Sequence, residues 1–390
     1  MMKEAVIVSA VRTPIGRCRG VLAPVPAHRL GAQAVKEAVR RAGIAPESID
    51  DVIFANLMNN EINNMGRMVA LEAGLPITVP GITLDRQCAA SLNALAYGAI
   101  QIMAGFAETV VVGGVESDSR RTWSMEKTET AYSVQPPRWV DIHTSPDRLG
   151  NPSMGITAEN IARRYELSRR ELDEFALRSH RLAADAWQKG LFDGQVTPVS
   201  LPDRKGREIV IQRDESVRPD CSLEALSSLR PCFCDDGVVT AGNSSPMSDG
   251  AGALVVMERS LAQAQGREIL AVFRGYAAAG VDPNYMGLGP VPATAKLLQQ
   301  TGLTVNDIDL WELNEAFAAQ SLACIRDIGM DPHRVNPNGG AIALGHPLAG
   351  SGAILATKAV YDMQRRNLNN AVITFCVGGG QGVAVLLTRE

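Results

Sequence analysis

Residues 42–60 read AGIAPESIDDVIFANLMNN, and residues 301–316 read TGLTVNDIDLWELNEA. Both run from a helix end at Gly, through a short polar turn containing Ile-Asp, into a short apolar strand. Each strand then enters a segment holding Asn. Glycine just past a periodic segment is the expected helix stop, because it adopts the left-handed conformation without a Cβ clash. The register continues downstream. Gly43 lies 45 residues before Cys88, and Gly302 lies 44 before His346. After Cys88 comes an Ala-rich helical segment and then ETVVVGGVES (108–117). After His346 comes another small-residue helix, near 350–365, and then NAVITFCVGGGQG (370–382). Matched landmarks at nearly equal spacing predict an internal duplication. The alternation of strand and helix predicts an α/β fold of two halves, each a mixed sheet covered by helices.

Residues 119–249 fall outside this repeat. The stretch is rich in Arg, Pro and Asp, and carries one amphipathic helix pair, AENIARRYELS (158–168) and RELDEFALRSHRLAADAWQKG (170–190). We read it as a loop domain inserted into the first half and covering one face. The first half is then 1–118 with 250–268, the loop domain 119–249, and the second half 269–390. The insert holds 18 basic and 20 acidic residues, so any anion it binds is held by a few local groups.

Composition narrows the function classes. The 390 residues are 46% hydrophobic and 21% charged, with 38 Lys plus Arg against 42 Asp plus Glu and a net charge of −4. That balance argues against a nucleic-acid binder relying on a basic face. With no run of about 18 apolar residues, a membrane span is not expected. The opening MMKEAVIVSAVRTPIG is broken by Arg12 and Pro14 and reads as a first β-strand rather than an export signal. The seven cysteines are an odd count in a long chain, so reduced thiols and a cytoplasmic location are expected. Cys232 and Cys234 are too close for the usual zinc spacing, and no metal is expected.

Four residues are candidates for chemistry. Cys88 opens a stretch, 88–106, that is apolar nearly all round at helical spacing and therefore buried. A thiol at the first turn of such a helix meets the positive end of the helix dipole, which lowers its pKa; the alternative is a small buried hydrophobe. His346 lies in NGGAIALGHPLAGSGAILATK (338–358), where Pro347 keeps it out of the helical region and glycines allow close backbone approach. It is the best base among five histidines, or else a hydrogen-bonded core residue. Cys376 ends a hydrophobic strand before Gly378, Gly379 and Gly380, whose N–H groups can bind a developing oxyanion; otherwise it is a strand cysteine before a tight turn. Asn314 opens NEAFAAQSLACIRDIG (314–329) and reads as a helix N-cap that can also serve a site. The duplication places Cys88 and His346 at equivalent points, each just ahead of a buried helix. Helix starts that face each other would bring together a thiol and an imidazole, the parts of an activated cysteine nucleophile.

The segments SAVRTPIG (9–16), TAGNSSPMSDGAGAL (240–254), MGLGPVPA (286–293), NEAFAAQ (314–320), GHPLAGSGA (345–353) and CVGGGQG (376–382) resemble the thiolase family, in order and from Lys3 to the last strand. The resemblance implies two duplicated halves with mixed sheets stacked around shared central helices, plus a loop domain over the active site. It implies thiolytic cleavage of a 3-ketoacyl-CoA to acetyl-CoA and a shortened acyl-CoA, or the reverse Claisen condensation, through an acyl-cysteine intermediate. By the same resemblance Cys88 is the nucleophile and His346 its activator. His346 forms one oxyanion hole with a water held by Asn314. Cys376 is the acid/base at C2, and the N–H groups of Cys88 and Gly378 form the second oxyanion hole. Arg218 falls toward the adenine end of CoA, Ser245 on the pantetheine, and Met154, Phe233 and Phe317 along the tunnel.

The implied partners are acyl-CoA and CoA, as substrates, with no further cofactor and with a homodimer or homotetramer as the assembly. The chain departs from the family pattern at Cys88-Ala89-Ala90-Ser91, where Cys-Gly-Ser-Gly is common, at Asn93, where Gln is usual, and at Ser153 before Met154, where biosynthetic members often have His. A ketoacyl synthase would need two histidines, and only His346 stands in a suitable motif. A non-catalytic acyl-CoA or lipid carrier would not need all three titrating residues.

Overall fold

The computed structural model describes residues 3–128, 130–132, 134–202 and 205–389. The strands are β1 (Ala5–Arg12), β2 (Gly16–Arg17), β3 (Asp51–Ala55), β4 (Gly81–Leu84), β5 (Thr109–Ser117), β6 (Val199–Pro202), β7 (Glu208–Ile211), β8 (Ser248–Glu258), β9 (Ala271–Gly280), β10 (Leu310–Leu313), β11 (Asn370–Val377) and β12 (Gln381–Thr388). Ten form one sheet: β2 pairs with β8 beside the path β10-β11-β12-β9-β1-β8-β5-β3-β4, and β6 with β7 makes a separate two-stranded sheet.

The sheet is the duplication made visible. In the first half β1–β8 and β8–β5 are antiparallel, while β5–β3 and β3–β4 are parallel. In the second, β9–β12 and β12–β11 are antiparallel and β11–β10 is parallel. A parallel bridge from Trp311 to Val335 stands where the first half has β4. The halves join edge to edge through two antiparallel pairs, Val6 with Val272 and Ile7 with Ala271. The repeat that opens the sequence also holds in detail. The helices Ala27–Ala42 and Pro290–Thr301 end at Gly43 (φ 63°) and Gly302 (φ 72°), and each is followed by a single 3-10 turn and a strand.

Strands β1, β5 and β8 are buried along their whole length. That burial follows from their near-continuous Val and Ala, since both faces are covered by helices. Alternate side chains serve different layers. Ala5 and Ile7 face the central helices Ala90–Met103 and Ser351–Arg366, while Val6 and Val11 face Ala27–Ala42. On β12, Val383, Val385 and Leu387 join the same central layer, whereas Ala384 and Leu386 meet the helices of the second half and of the 119–249 segment. The two central helices touch at their starts. A Cβ on Gly352 would lie 2.2 Å from the Leu92 backbone nitrogen, so Gly352→Ala would force them apart. The Ser91 hydroxyl accepts from the Ala353 N–H at 2.9 Å, a net gain of about 1 kcal/mol for such a buried bond.

The amphipathic pair read from the insert forms helices Met154–Arg164 and Arg169–Gln188, the second with a Ser168/Glu171 capping box. The insert is tied to the sheet by Arg12, whose buried guanidinium grips Asp214 with two bonds of 2.8 and 3.0 Å. Among the described residues no helix is long and apolar enough to cross a membrane.

Candidate active site

Cys88 sits in the 3-10 turn Gln87–Ala89 that leads into the helix Ala90–Met103. Gln87 holds a positive φ of 45°, an uncommon conformation for a side-chain-bearing residue. The turn is braced by its N–H on the Asp85 carboxylate at 2.7 Å. The expectation of a depressed thiol pKa is overturned: burial pushes the Cys88 thiol up to about 11. A helix start contributes about 0.3–1 kcal/mol at exposed sites, and removing a thiolate from water costs more. The Gly378 and Cys88 backbone N–H groups act in the opposite direction, favouring the thiolate, and burial outweighs them.

His346 is buried at the corresponding point of the second half. Its Nδ1 lies 2.6 Å from the Ser351 hydroxyl, which in turn donates to the Pro347 carbonyl at 3.1 Å. A hydroxyl that donates there accepts from Nδ1–H, leaving Nε2 as the bare nitrogen. Nε2 stands 3.4 Å from Asn314 Nδ2, and the His346 N–H donates to Ser248 Oγ at 3.1 Å. Burial pushes the imidazole down to about 4, so it is neutral at physiological pH.

Asn314 is not a helix N-cap. The helix begins at Ala318, with Phe317 extended before it. The intervening chain stays open because it bonds sideways: Ala316 accepts from the Ser245 N–H at 3.0 Å, and Ser244 bridges Phe317. This frees the Asn314 side chain for His346. Its Oδ1 is buried and unpartnered, an acceptor left available for a water or substrate.

Cys376 is the buried penultimate residue of β11, which ends at Val377. Burial first, then the neighbouring Cys88 and Cys324 thiols, raise its pKa well above the ordinary thiol range. A Cβ on Gly378 would lie 2.0 Å from the Gln87 Oε1. The turn therefore packs directly on the residue preceding the nucleophile. Gly379 and Gly380 have φ of 80° and 82°, which glycine adopts without strain.

Of the proposed CoA contacts, four come together. Phe233 lies over Gly155 beside Met154, and its ring meets that of Phe317 edge-on at 6.2 Å. Ser245 joins this wall through the bond of its hydroxyl to Ala316 at 3.1 Å. Arg218 is not brought into contact with them. It is exposed, and its backbone N–H donates to His180 Nδ1 at 3.2 Å. Sequence reasoning missed Ser351, Ser248 and Glu315. Glu315 is buried, accepting from Ser179 at 2.6 Å and Asn336 at 2.8 Å, and so ties the 119–249 segment to the Asn314 loop. Position alone hinted at the first two: Ser351 stands five residues after His346, and Ser248 follows the quoted SSPM.

The thiolase N-terminal domain family matches residues 5–260 and the thiolase C-terminal domain family residues 267–389. The chain is 44% identical to the 3-oxoadipyl-CoA/3-oxo-5,6-dehydrosuberyl-CoA thiolase of Escherichia coli and 42% identical to an acetyl-CoA acetyltransferase of Pseudomonas aeruginosa, each over 100% of both chains. It is 44% identical to a 3-ketoacyl-CoA thiolase of Bacillus subtilis over 98% of both. The crystal structure of the Bacillus anthracis acetyl-CoA acetyltransferase superposes with a TM-score of 0.94 at 40% identity, covering 99% of each chain. That of human mitochondrial 3-ketoacyl-CoA thiolase also gives 0.94, at 36% identity, over 100% of this chain and 99% of the other. Two halves of one topology, with a thiol and an imidazole at touching helix starts, and matches that run from residue 5 to residue 389, place this chain in the thiolase family.

Proposed function

We propose that the protein moves an acyl group between CoA and Cys88, cleaving 3-ketoacyl-CoA with CoA or condensing two acyl-CoA molecules in reverse. The observation that carries this reading is the meeting of the two central helix starts, which packs the Cys88 turn against Gly378 and sets the His346 imidazole beside Asn314.

In the cleavage direction the Cys88 thiol attacks the C3 carbonyl and its proton passes to His346 Nε2. The C2–C3 bond then breaks, and the electron pair left on C2 takes the proton of Cys376, releasing acetyl-CoA. An incoming CoA thiol attacks the acyl-Cys88 carbonyl and gives its proton to the Cys376 thiolate. The departing Cys88 thiolate recovers its proton from His346. Asn314, through a water, and His346 stabilise one oxyanion; the Cys88 and Gly378 N–H groups stabilise the other. A strongly raised thiol pKa suits Cys376, because its partner is a carbon acid and proton transfer works best between groups of matched basicity. Two thiols and an imidazole relay every proton in this cycle, the incoming CoA thiol replacing the one delivered to C2, so it calls on no further cofactor.

Met154, Phe233, Phe317 and Ser245 form the wall on which pantetheine would lie, with Arg218 toward the nucleotide. The relatives' names divide between acetyl-CoA, general 3-ketoacyl-CoA and 3-oxoadipyl-CoA substrates. A homodimer or homotetramer in the cytoplasm, with acyl-CoA and CoA as partners, completes the reading. The test is thiolysis followed at the thioester–enolate absorbance. Acetoacetyl-CoA, longer 3-ketoacyl-CoA esters and 3-oxoadipyl-CoA are each offered with CoA. Loss of absorbance that requires CoA and vanishes in Cys88→Ala is expected. A wild-type protein inert toward the whole panel would refute the reading.

A further inference from the structure

The two half-sheets can be laid over each other by strand register. On β3 and β5, Ala55 pairs with Gly114; on β10 and β11, Leu313 pairs with Thr374. One residue beyond each inner strand stands an asparagine, Asn56 in the first half and Asn314 in the second. Two residues beyond Gly114 is Glu116, and two beyond Thr374 is Cys376. The neighbouring strands agree: Glu116 pairs with Gly250 on β8, and Cys376 with Gly382 on β12. Glu116 is therefore the first-half counterpart of Cys376. Each of these strand ends reaches the helix start contributed by the opposite half. Cys376 faces Cys88, and Glu116 faces the turn after His346.

Glu116 is fully buried. One carboxylate oxygen accepts from the Met58 N–H at 2.9 Å and the Asn56 amide at 3.4 Å. The other accepts from the Ala349 N–H at 3.3 Å. The first two anchors belong to the first half. Ala349 lies three residues after His346 and two before Ser351, the residue that holds the imidazole's Nδ1. The turn also rests on β5 directly, since a Cβ on Gly114 would meet the Ala349 carbonyl oxygen at 2.3 Å. A carboxyl has no obvious reason to be buried among these donors unless the connection it makes matters.

We infer that Glu116 is a positioning residue for His346: anchored in the first half, its carboxylate holds the Leu348–Gly350 turn and, through Ser351, aims the imidazole. This rests on the acyl-transfer reading of Cys88 and His346. All the named partners of Glu116 donate, so the anion is the form that satisfies them all. A protonated carboxyl must turn its O–H toward one donor or the other. Burial raises Glu116 to about 7, with the Asp118 charge adding to the rise. Other titratable groups on the surrounding elements are Asp249 on β8, Cys88 across the site and His346 itself.

The experiment measures single-turnover acetylation of Cys88 by acetyl-CoA in full-length wild type and Glu116→Gln between pH 6 and 8. In wild type Cys88 titrates at about 11 and His346 at about 4, outside that window, and the Glu116 charge disfavours the Cys88 thiolate, so a ratio that climbs with pH reports positioning rather than that charge. The ionised fraction of a group at about 7 rises roughly tenfold across that range. The wild-type to Glu116→Gln ratio should climb by about that factor, with KM for CoA within about twofold and melting temperature little changed. Misplacing a catalytic group by about 1 Å can cost about 100-fold, so the variant should be at least tenfold slow at pH 8. A flat ratio, or equal rates, overturns the inference. Should Glu116→Gln fail to fold, Glu116→Asp keeps the anion but falls one methylene short of Ala349. It should retain the wild-type pH dependence while acetylating several-fold more slowly, and acetylation at the wild-type rate overturns the inference. A wild type that takes no label on Cys88 overturns the acyl-transfer reading and this inference with it. A labelled wild type with a flat ratio overturns this inference alone.

Discussion

Cys88 and His346 should rest as a neutral thiol and a neutral imidazole, not as a thiolate–imidazolium pair. Burial pushes the thiol up to about 11 and the imidazole down to about 4. Moving the proton from sulfur to nitrogen in the free enzyme therefore crosses about 7 pKa units, or roughly 10 kcal/mol at 1.36 kcal/mol per unit. Attraction between the resulting charges returns part of that; any pair held about 4 Å apart gains about 4 kcal/mol at an effective dielectric of 20. The remaining gap of about 6 kcal/mol leaves the ion pair at roughly one molecule in 10⁴. The nucleophile is thus made only when a substrate carbonyl is present to receive it and the oxyanion donors are engaged. The assay is alkylation of Cys88 by iodoacetamide, read at the Cys88 peptide by mass spectrometry from pH 6 to 10.5. The rate should rise about tenfold per pH unit with no plateau below pH 9. An inflection below pH 8 would show a resting thiolate and refute the reasoning.

Gly378→Ala should lower kcat by about 10²–10³, the usual cost of disturbing one oxyanion donor, because its Cβ would press on Gln87 Oε1 and shift the N–H aimed at Cys88; unchanged kcat would remove that N–H from the mechanism. His346→Asn should gain stability relative to wild type as pH falls from about 6.5 to 4. The wild-type imidazole, lowered to about 4 by burial, binds its proton more readily unfolded than folded, so wild type loses about 3 kcal/mol across that window; parallel denaturant midpoints for the two proteins would contradict this. Arg218→Ala should raise KM for CoA roughly tenfold with kcat unchanged, since a contact remote from the reacting atoms acts equally in ground and transition states. A fall in kcat at constant KM would take Arg218 out of the nucleotide site.

The duplication was legible because its signals are local. Gly43 and Gly302 stop helices for a conformational reason that needs no tertiary context, and the strand after each follows from its apolar run. Cys88, His346 and Cys376 were legible because each sits in an unusual frame of small residues that lets backbones meet. What sequence could not show is where burial overrides local chemistry. The helix start at Cys88 argued for a lowered thiol pKa, yet desolvation by both halves prevails. Asn at 314 carries a capping preference, but the chain from Glu315 to Phe317 is drawn open by Ser244 and Ser245, some 70 residues earlier. Glu116 stands inside ETVVVGGVES with nothing local to mark it. Its burial, and its match in place to Cys376, become apparent only when the strands are in register.

The most direct test of the account is the Cys376→Ala protein given acetyl-CoA. Transfer of acetyl to Cys88 moves no proton on or off carbon, and the CoA thiolate it releases can leave without an acid and take its proton from water, whereas cleavage and condensation need a proton moved at C2. The variant should take one acetyl group on the Cys88 peptide, fail to exchange the acetyl-CoA methyl protons with D₂O, and lose turnover by about 10²–10⁴ or more. Normal turnover, or an acetyl group on any residue other than Cys88, would contradict the division of labour proposed for the two thiols.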